Sequence, residues 1–146
     1  MAAKTVILAE EMMRRDRASR MLGMTVIDRG PGHSVVRMTV TEDMTNGFAI
    51  THGGLVFALA DTAFAIACNS GENLTVAAGA DITFLKSTRA GDELTATADL
   101  RAQSGRSGLY DVEVVDASGE IVAEFRGRSR TTPQTLTTLT TLEGDR

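Results

Sequence analysis

The chain has 146 residues, 42% of them hydrophobic and 23% charged, with a net charge of −4 at pH 7. That length suits one domain with one core, and the acidic balance gives no electrostatic drive toward nucleic acid or an anionic membrane, so any anionic ligand must be held by local Arg and Lys. Cys68 is the single cysteine, so no intrachain disulfide is available, and the N-terminus lacks a basic start, a sustained apolar stretch and a small-residue cleavage site; we expect a cytoplasmic protein.

Residues 4–22 place Ile7, Met12, Ala18, Met21 and Leu22 among charges at loosely helical spacing, with Gly23 following as a C-cap. The segments 24–30 and 33–40 read as two short strands joined through Gly30-Pro31-Gly32. A polar loop, Thr41–Thr51, leads into the apolar run Gly53–Asn69. This run is 17 residues long and carries Asp61 at its centre, which excludes a membrane span. It reads as a helix that must be enclosed. Four alternating segments follow, 74–85, 92–103, 108–117 and 120–131, separated by polar and Gly-containing links, and these read as consecutive, mostly antiparallel strands. The expectation is an α+β protein in which an antiparallel sheet of about six strands wraps one long hydrophobic helix. A single domain would span residues 1–132, leaving a mobile Thr-rich tail over 133–146.

The acid inside the apolar helix is the main anomaly. At helical spacing its neighbours are Phe57, Ala58, Phe64 and Ala65, none of which hydrogen-bonds a carboxylate. Asp61 must therefore be protonated, paired with something distant in sequence, or open to a cleft, because burying an ionised carboxylate without partners is prohibitively costly. A purely structural Asp that fixes register against a strand or subunit is the bland alternative. At the helix start, Thr51-His52-Gly53-Gly54 leaves backbone N–H groups approachable, an arrangement that holds an oxyanion or simply allows a tight entry into the helix. Asp61 follows Gly53 by eight residues, roughly 12 Å along the axis, too far for both to act on one carbonyl. If both serve one reaction, Asp61 has to meet the Gly53 end of another copy in a two-fold dimer with antiparallel helices.

His52 either orders this helix start or takes part in the chemistry, and Asn46 offers a side-chain donor from the preceding loop. Gly54 and Thr62 are further candidates for substrate contact, and Lys86 and Arg106 for anionic phosphates, beside Arg89, Arg126 and Arg128. Phe48, Leu55, Phe57 and Phe64 are candidates either for an aromatic pocket or for plain core, and Cys68 and His33 read as structural. There is no metal-ligand spacing, no phosphate-binding Gly-rich loop with a following Lys and no Gly-x-Ser-x-Gly elbow.

The stretch NGFAITHGGLVFALADTAFAIACNS, followed by GADITFLKSTRAGDELTATA, GRSGLYDVEV and AEFRGRSR, resembles the hot dog fold acyl-CoA thioesterases of the PaaI-like, phenylacetate-degradation type, over roughly Ala18 to Arg130. That resemblance implies hydrolysis of acyl-CoA thioesters of the aryl-acetyl type, with CoA as part of the substrate and no metal or redox cofactor. It implies that Asp61 is general base or nucleophile, that Gly53 donates its N–H to the thioester carbonyl, and that Asn46 and His52 support the site. It further implies a homodimer completing the active site and a dimer-of-dimers homotetramer. Two other readings share the fold: an enoyl-CoA hydratase or dehydratase using His52 with Asp61, and a non-catalytic acyl-CoA binding protein.

Overall fold

The computed structural model describes residues 2–137. Helices α1 (Ala2–Arg15) and α2 (Arg17–Met21) precede a hairpin of β1 (Thr25–Gly30) and β2 (His33–Thr39); a 3-10 turn, Glu42–Met44, leads to the long helix α3 (Gly53–Cys68). Strands β3 (Asn73–Phe84), β4 (Glu93–Ser104), β5 (Ser107–Val115) and β6 (Ile121–Thr135) complete the domain. The expected N-terminal helix is thus two helices. Asp16 breaks it by leaving helical geometry and capping α2 through the Ser19 N–H. Gly23 ends α2 as expected, at φ 71°, with its own N–H on the Arg20 carbonyl and the Met24 N–H on that of Ser19, the paired bonds of a left-handed helix stop. Met21, expected to pack inward, is 78% exposed, whereas Leu8 and Ala9 are buried; the side chain of Ile7 lies outside the described ones.

All ladders are antiparallel and the strand order is β1-β2-β4-β5-β6-β3. Period-two alternation puts Val36 and Met38 of β2, Leu94, Ala96 and Ala98 of β4, Val112 and Val114 of β5 and Phe125 of β6 into one core with Leu59, Ala60, Ala63, Phe64 and Ile66 of α3. Two side chains tie the helix to the sheet: the buried Ser34 hydroxyl donates to the Ala63 carbonyl at 2.6 Å, and Asn69, at the end of α3, exchanges bonds with the Thr75 backbone. Phe64 lies flat on Gly127, where an added Cβ would stand 2.7 Å from the ring. Gly127→Ala is therefore expected to overpack the core and cost about 1–3 kcal/mol in denaturant unfolding, with the m-value unchanged.

Two expectations need correction. The long helix is not enclosed all round: Gly54 is exposed, and Leu55, Ala58, Asp61, Thr62 and Ala65 are half-buried, a stripe that the chain's own sheet leaves open. The sheet is curved over one side of α3 only. The strand β6 also runs past the expected domain end to Thr135, paired with Asn73. Pro133 is tolerated because the β3–β6 register is irregular there and side chains carry the pairing: Asn73 donates to the Thr132 carbonyl, and Thr132 donates to the Leu74 carbonyl. The expected mobile tail otherwise lies, from residue 138 on, outside the described residues.

Candidate active site

The start of α3 is built around His52, which caps it. The His52 Nδ1 accepts the Gly54 N–H at 3.2 Å, and its backbone carbonyl accepts the N–H groups of Leu55 and Val56. An accepting Nδ1 places the proton of the neutral ring on Nε2. Of the first-turn amides this leaves the Gly53 N–H without a partner among the described residues. Gly54, by contrast, is occupied by the cap. Gly53 lines a cleft of about 330 Å³ together with Asn46, Thr51, Phe84, Lys86 and Thr88, and the Phe84 ring lies so close that a Cβ on Gly53 would stand 3.0 Å from its Cζ.

The loop before the helix is fixed by Asn46. Its Oδ1 accepts the Phe48 N–H at 2.9 Å, its backbone N–H donates to the Ile50 carbonyl, and Ala49 sits at φ 58° to close the turn. The carboxamide oxygen being engaged, the NH₂ of Asn46 is the group left to donate, and the residue lines the cleft. Thr51 and Thr88 share a buried hydroxyl contact of 2.6 Å that holds the loop to the chain leaving β3.

Asp61 stands on the open stripe of α3, away from this cleft, with no hydrogen bond or ion pair to its carboxyl among the described residues. Burial, and second the negative charge of Asp16, raise its pKa above the ordinary carboxylate range. Thr62 is turned instead toward α2, its Oγ1 3.0 Å from the Ser19 hydroxyl.

The cations proposed for phosphates separate. Lys86 lines the cleft but is held between Asp116 and Glu120, whose hydrogen bonds raise its pKa. Arg106 lies in the turn before β5, with Lys86 bound to Asp116 just past the other end of that strand, so about 33 Å of extended chain separates Arg106 from Asp116. One chain does not bring Lys86 and Arg106 to one phosphate. Arg126 and Arg128 pair with Asp111 and Asp81 on the outer face. The ring candidates divide as well: Phe57 and Phe64 stack edge-on and tilted against Phe125 inside the core, while Phe48 is 84% exposed. His33, read as structural, sits between Asp99 and Asp28 at 2.7 and 3.4 Å, remote in the sheet from the cleft, and Asp99 raises its pKa. Sequence reasoning missed Phe84 and Thr88 as neighbours of Gly53. Nothing in their local pattern distinguishes them from ordinary strand-end residues. Among the described residues no three His, Cys, Asp or Glu side chains are placed to hold a metal ion, and no helix is long and apolar enough to cross a membrane.

A six-stranded antiparallel sheet curved over one long helix, with a free amide at the helix start, defines the hot dog fold of thioesterases. Residues 48–123 match the thioesterase superfamily. The acyl-coenzyme A thioesterase PaaI of Escherichia coli (strain K12) is 46% identical over 129 residues, covering 88% of this chain and 92% of that protein. The E. coli PaaI structure superposes with a TM-score of 0.88 at 44% identity, over 92% and 97% of the two chains. A mutant form of the phenylacetic acid degradation protein PaaI from Thermus thermophilus does so at 0.77 with 35% identity, over 80% and 100%. The chain belongs to the thioesterase superfamily, and within it to the PaaI-like enzymes.

Proposed function

We propose that this protein hydrolyses acyl-CoA thioesters, of the aryl-acetyl type such as phenylacetyl-CoA or hydroxyphenylacetyl-CoA, to the free acid and CoA, at a site shared by two copies of the chain. The observation that carries this reading is the single unpartnered amide of the α3 start, at Gly53, on the same helix as an unpaired acid eight residues further on. The Gly53 N–H accommodates the oxyanion that forms when the thioester carbonyl is attacked. Asp61 of the other copy takes the proton of the attacking water, or attacks itself to give a mixed anhydride that water then opens. The C–S bond breaks and CoA leaves as the thiolate. Asn46 supplies a second donor, and His52 keeps the Gly54 amide occupied so that the helix start holds its shape.

A dimer is supported by what one chain leaves uncovered. Strand β3 ends the sheet with one edge unpaired among the described residues, and Val76, Ala77 and Ala78 are exposed along it. A long apolar edge of this kind invites pairing with another chain. The open stripe of α3 around Asp61 offers a second surface for a two-fold related copy, which sets the two helices antiparallel. The pairing of dimers into a homotetramer and a cytoplasmic setting belong to the same proposal. The hydratase reading loses support because the His52 Nδ1 is committed to the cap.

Thiol release from phenylacetyl-, hydroxyphenylacetyl-, short aliphatic and long aliphatic CoA esters tests the proposal. The two aryl-acetyl esters are expected to give the highest kcat/KM, with no change in enoyl absorbance when unsaturated esters are offered. A preference for long aliphatic esters overturns the aryl assignment, and absence of thiol release from every ester overturns hydrolysis.

A further inference from the structure

Asp16 does more than a helix cap requires. One oxygen, Oδ1, accepts the Ser19 backbone N–H at 2.9 Å, which completes the N-cap of α2. The other, Oδ2, accepts the Ser19 hydroxyl at 2.6 Å. Ser19 is 3% exposed and has one hydroxyl proton, which goes to Asp16; the 3.0 Å contact between Ser19 Oγ and Thr62 Oγ1 is therefore donated by Thr62. A directed chain of hydroxyls thus runs from the residue next to Asp61 to a carboxylate at the α1–α2 junction.

Charge around Asp61 is sparse. The strands packed on α3 present Ser34, Ala96, Ala98, Val112 and Val114, the Tyr110 phenol lies against Phe64 and is pushed up to about 12 by burial, and the Cys68 thiol on α3 is likewise pushed up to about 12. Among the described residues the one charged side chain that acts on Asp61 is Asp16.

We propose that Asp16 is a positioning residue for Asp61: through Ser19 and Thr62 it fixes the helix turn that carries the reacting carboxylate, and it sets a second carboxylate at the far end of that hydroxyl chain. This rests on the reading of Asp61 as the group that activates water or attacks. Burial is the larger cause that raises the Asp61 pKa, and the negative charge of Asp16 adds to it in the same direction. The consequence is an enzyme whose acid limb of activity lies at higher pH than an isolated aspartate would give.

The test separates charge from position. Asp16→Asn is uncharged and caps helices as well as Asp: its Oδ1 accepts the Ser19 N–H, while its NH₂ donates to the Ser19 hydroxyl, which then donates to Thr62, so the chain of contacts persists with its direction reversed. Its acid limb in the pH profile of kcat/KM is expected to move to lower pH and to depend less on salt than the native limb does. Ser19→Ala keeps the charge and cuts the hydroxyl chain; it is expected to lower kcat severalfold with KM little changed. A profile of Asp16→Asn that superposes on the native one overturns the electrostatic part, and a native kcat in Ser19→Ala overturns the positioning part. Carboxyl-carbon NMR titration of Asp61 in the native protein and in Asp16→Asn reads the charge effect without catalysis. A lower Asp61 midpoint in the variant supports the proposal and an unmoved one overturns it. If Asp61→Asn proved fully active, the hydrolytic role of Asp61 would fall, and the titration would still decide what Asp16 does to it.

Discussion

Asp61→Asn is expected to lower thioester turnover by at least about 10²-fold, the scale of lost acid–base assistance, while the protein folds and assembles normally. Asn matches Asp in shape, and no partner among the described residues depends on the carboxylate, so nothing in the fold is orphaned by the change. Stability is expected to move the other way. Burial raises the pKa of Asp61, so the folded chain holds this proton more tightly than the unfolded chain does. Such a group favours the fold only below its unfolded pKa, about 3.9, and that contribution is lost as pH rises through the folded value. At neutral pH the native protein thus carries the cost of a half-buried, unpaired carboxylate and the Asn variant does not. The variant should melt higher at pH 7, and the gap should close as the pH falls to about 4. A thermal scan across that range, beside a thiol-release assay, measures both effects. Near-native turnover removes the catalytic assignment. A variant less stable than native at pH 7 means that the carboxylate has a structural partner.

Much of this architecture was legible because local chemistry and tertiary structure agree. Gly32, Gly91, Gly105 and Gly119 all adopt positive φ, and each marks a turn between strands that the alternating pattern had already delimited. Asp61 stood out because an apolar helix has no local use for an acid, and Gly53 because bare backbone at a helix start is chemically available. What was missed depends on contacts between residues far apart in the chain. Strand β3 lies beside β6 rather than β4, a pairing that no short window reveals. Lys86 looked free in sequence but finds Asp116 and Glu120, and Arg106 falls at the far end of β5. The break at Asp16 did leave a local trace, an Asp three residues before a Ser, but the surrounding helical spacing masked it. The half-open face of α3 left no such trace: Leu55 and Phe57 are half-buried whereas Ala60, Ala63 and Ala67 are fully buried, so side-chain size does not mark the side that the sheet leaves uncovered.

Gly53→Pro is expected to remove catalysis by deleting one hydrogen atom's worth of function. Proline is favoured at the first position of a helix, where its missing N–H has no intrahelical role, and it requires the preceding residue to be extended. His52 already is, at φ −63° and ψ 128°. The ring's Cβ would meet Phe84, but that side chain is 52% exposed and has room to yield. The fold should therefore survive while the free amide disappears, with turnover falling by about 10²–10³, the scale of one lost oxyanion donor. This variant also decides whether the site spans two chains. Gly53 and Asp61 lie roughly 12 Å apart along one helix, so one carbonyl cannot touch both within a chain. If Gly53→Pro and Asp61→Asn proteins, each inactive, are unfolded and refolded together, random pairing makes about half of the dimers mixed. In each mixed dimer one site carries both lesions and the other carries neither, so up to about 25% of native activity should return. Mass spectrometry under native conditions verifies that mixed dimers formed. Mixed dimers without recovered hydrolysis would place both groups of a site in the same chain, and the two-copy mechanism would have to be abandoned.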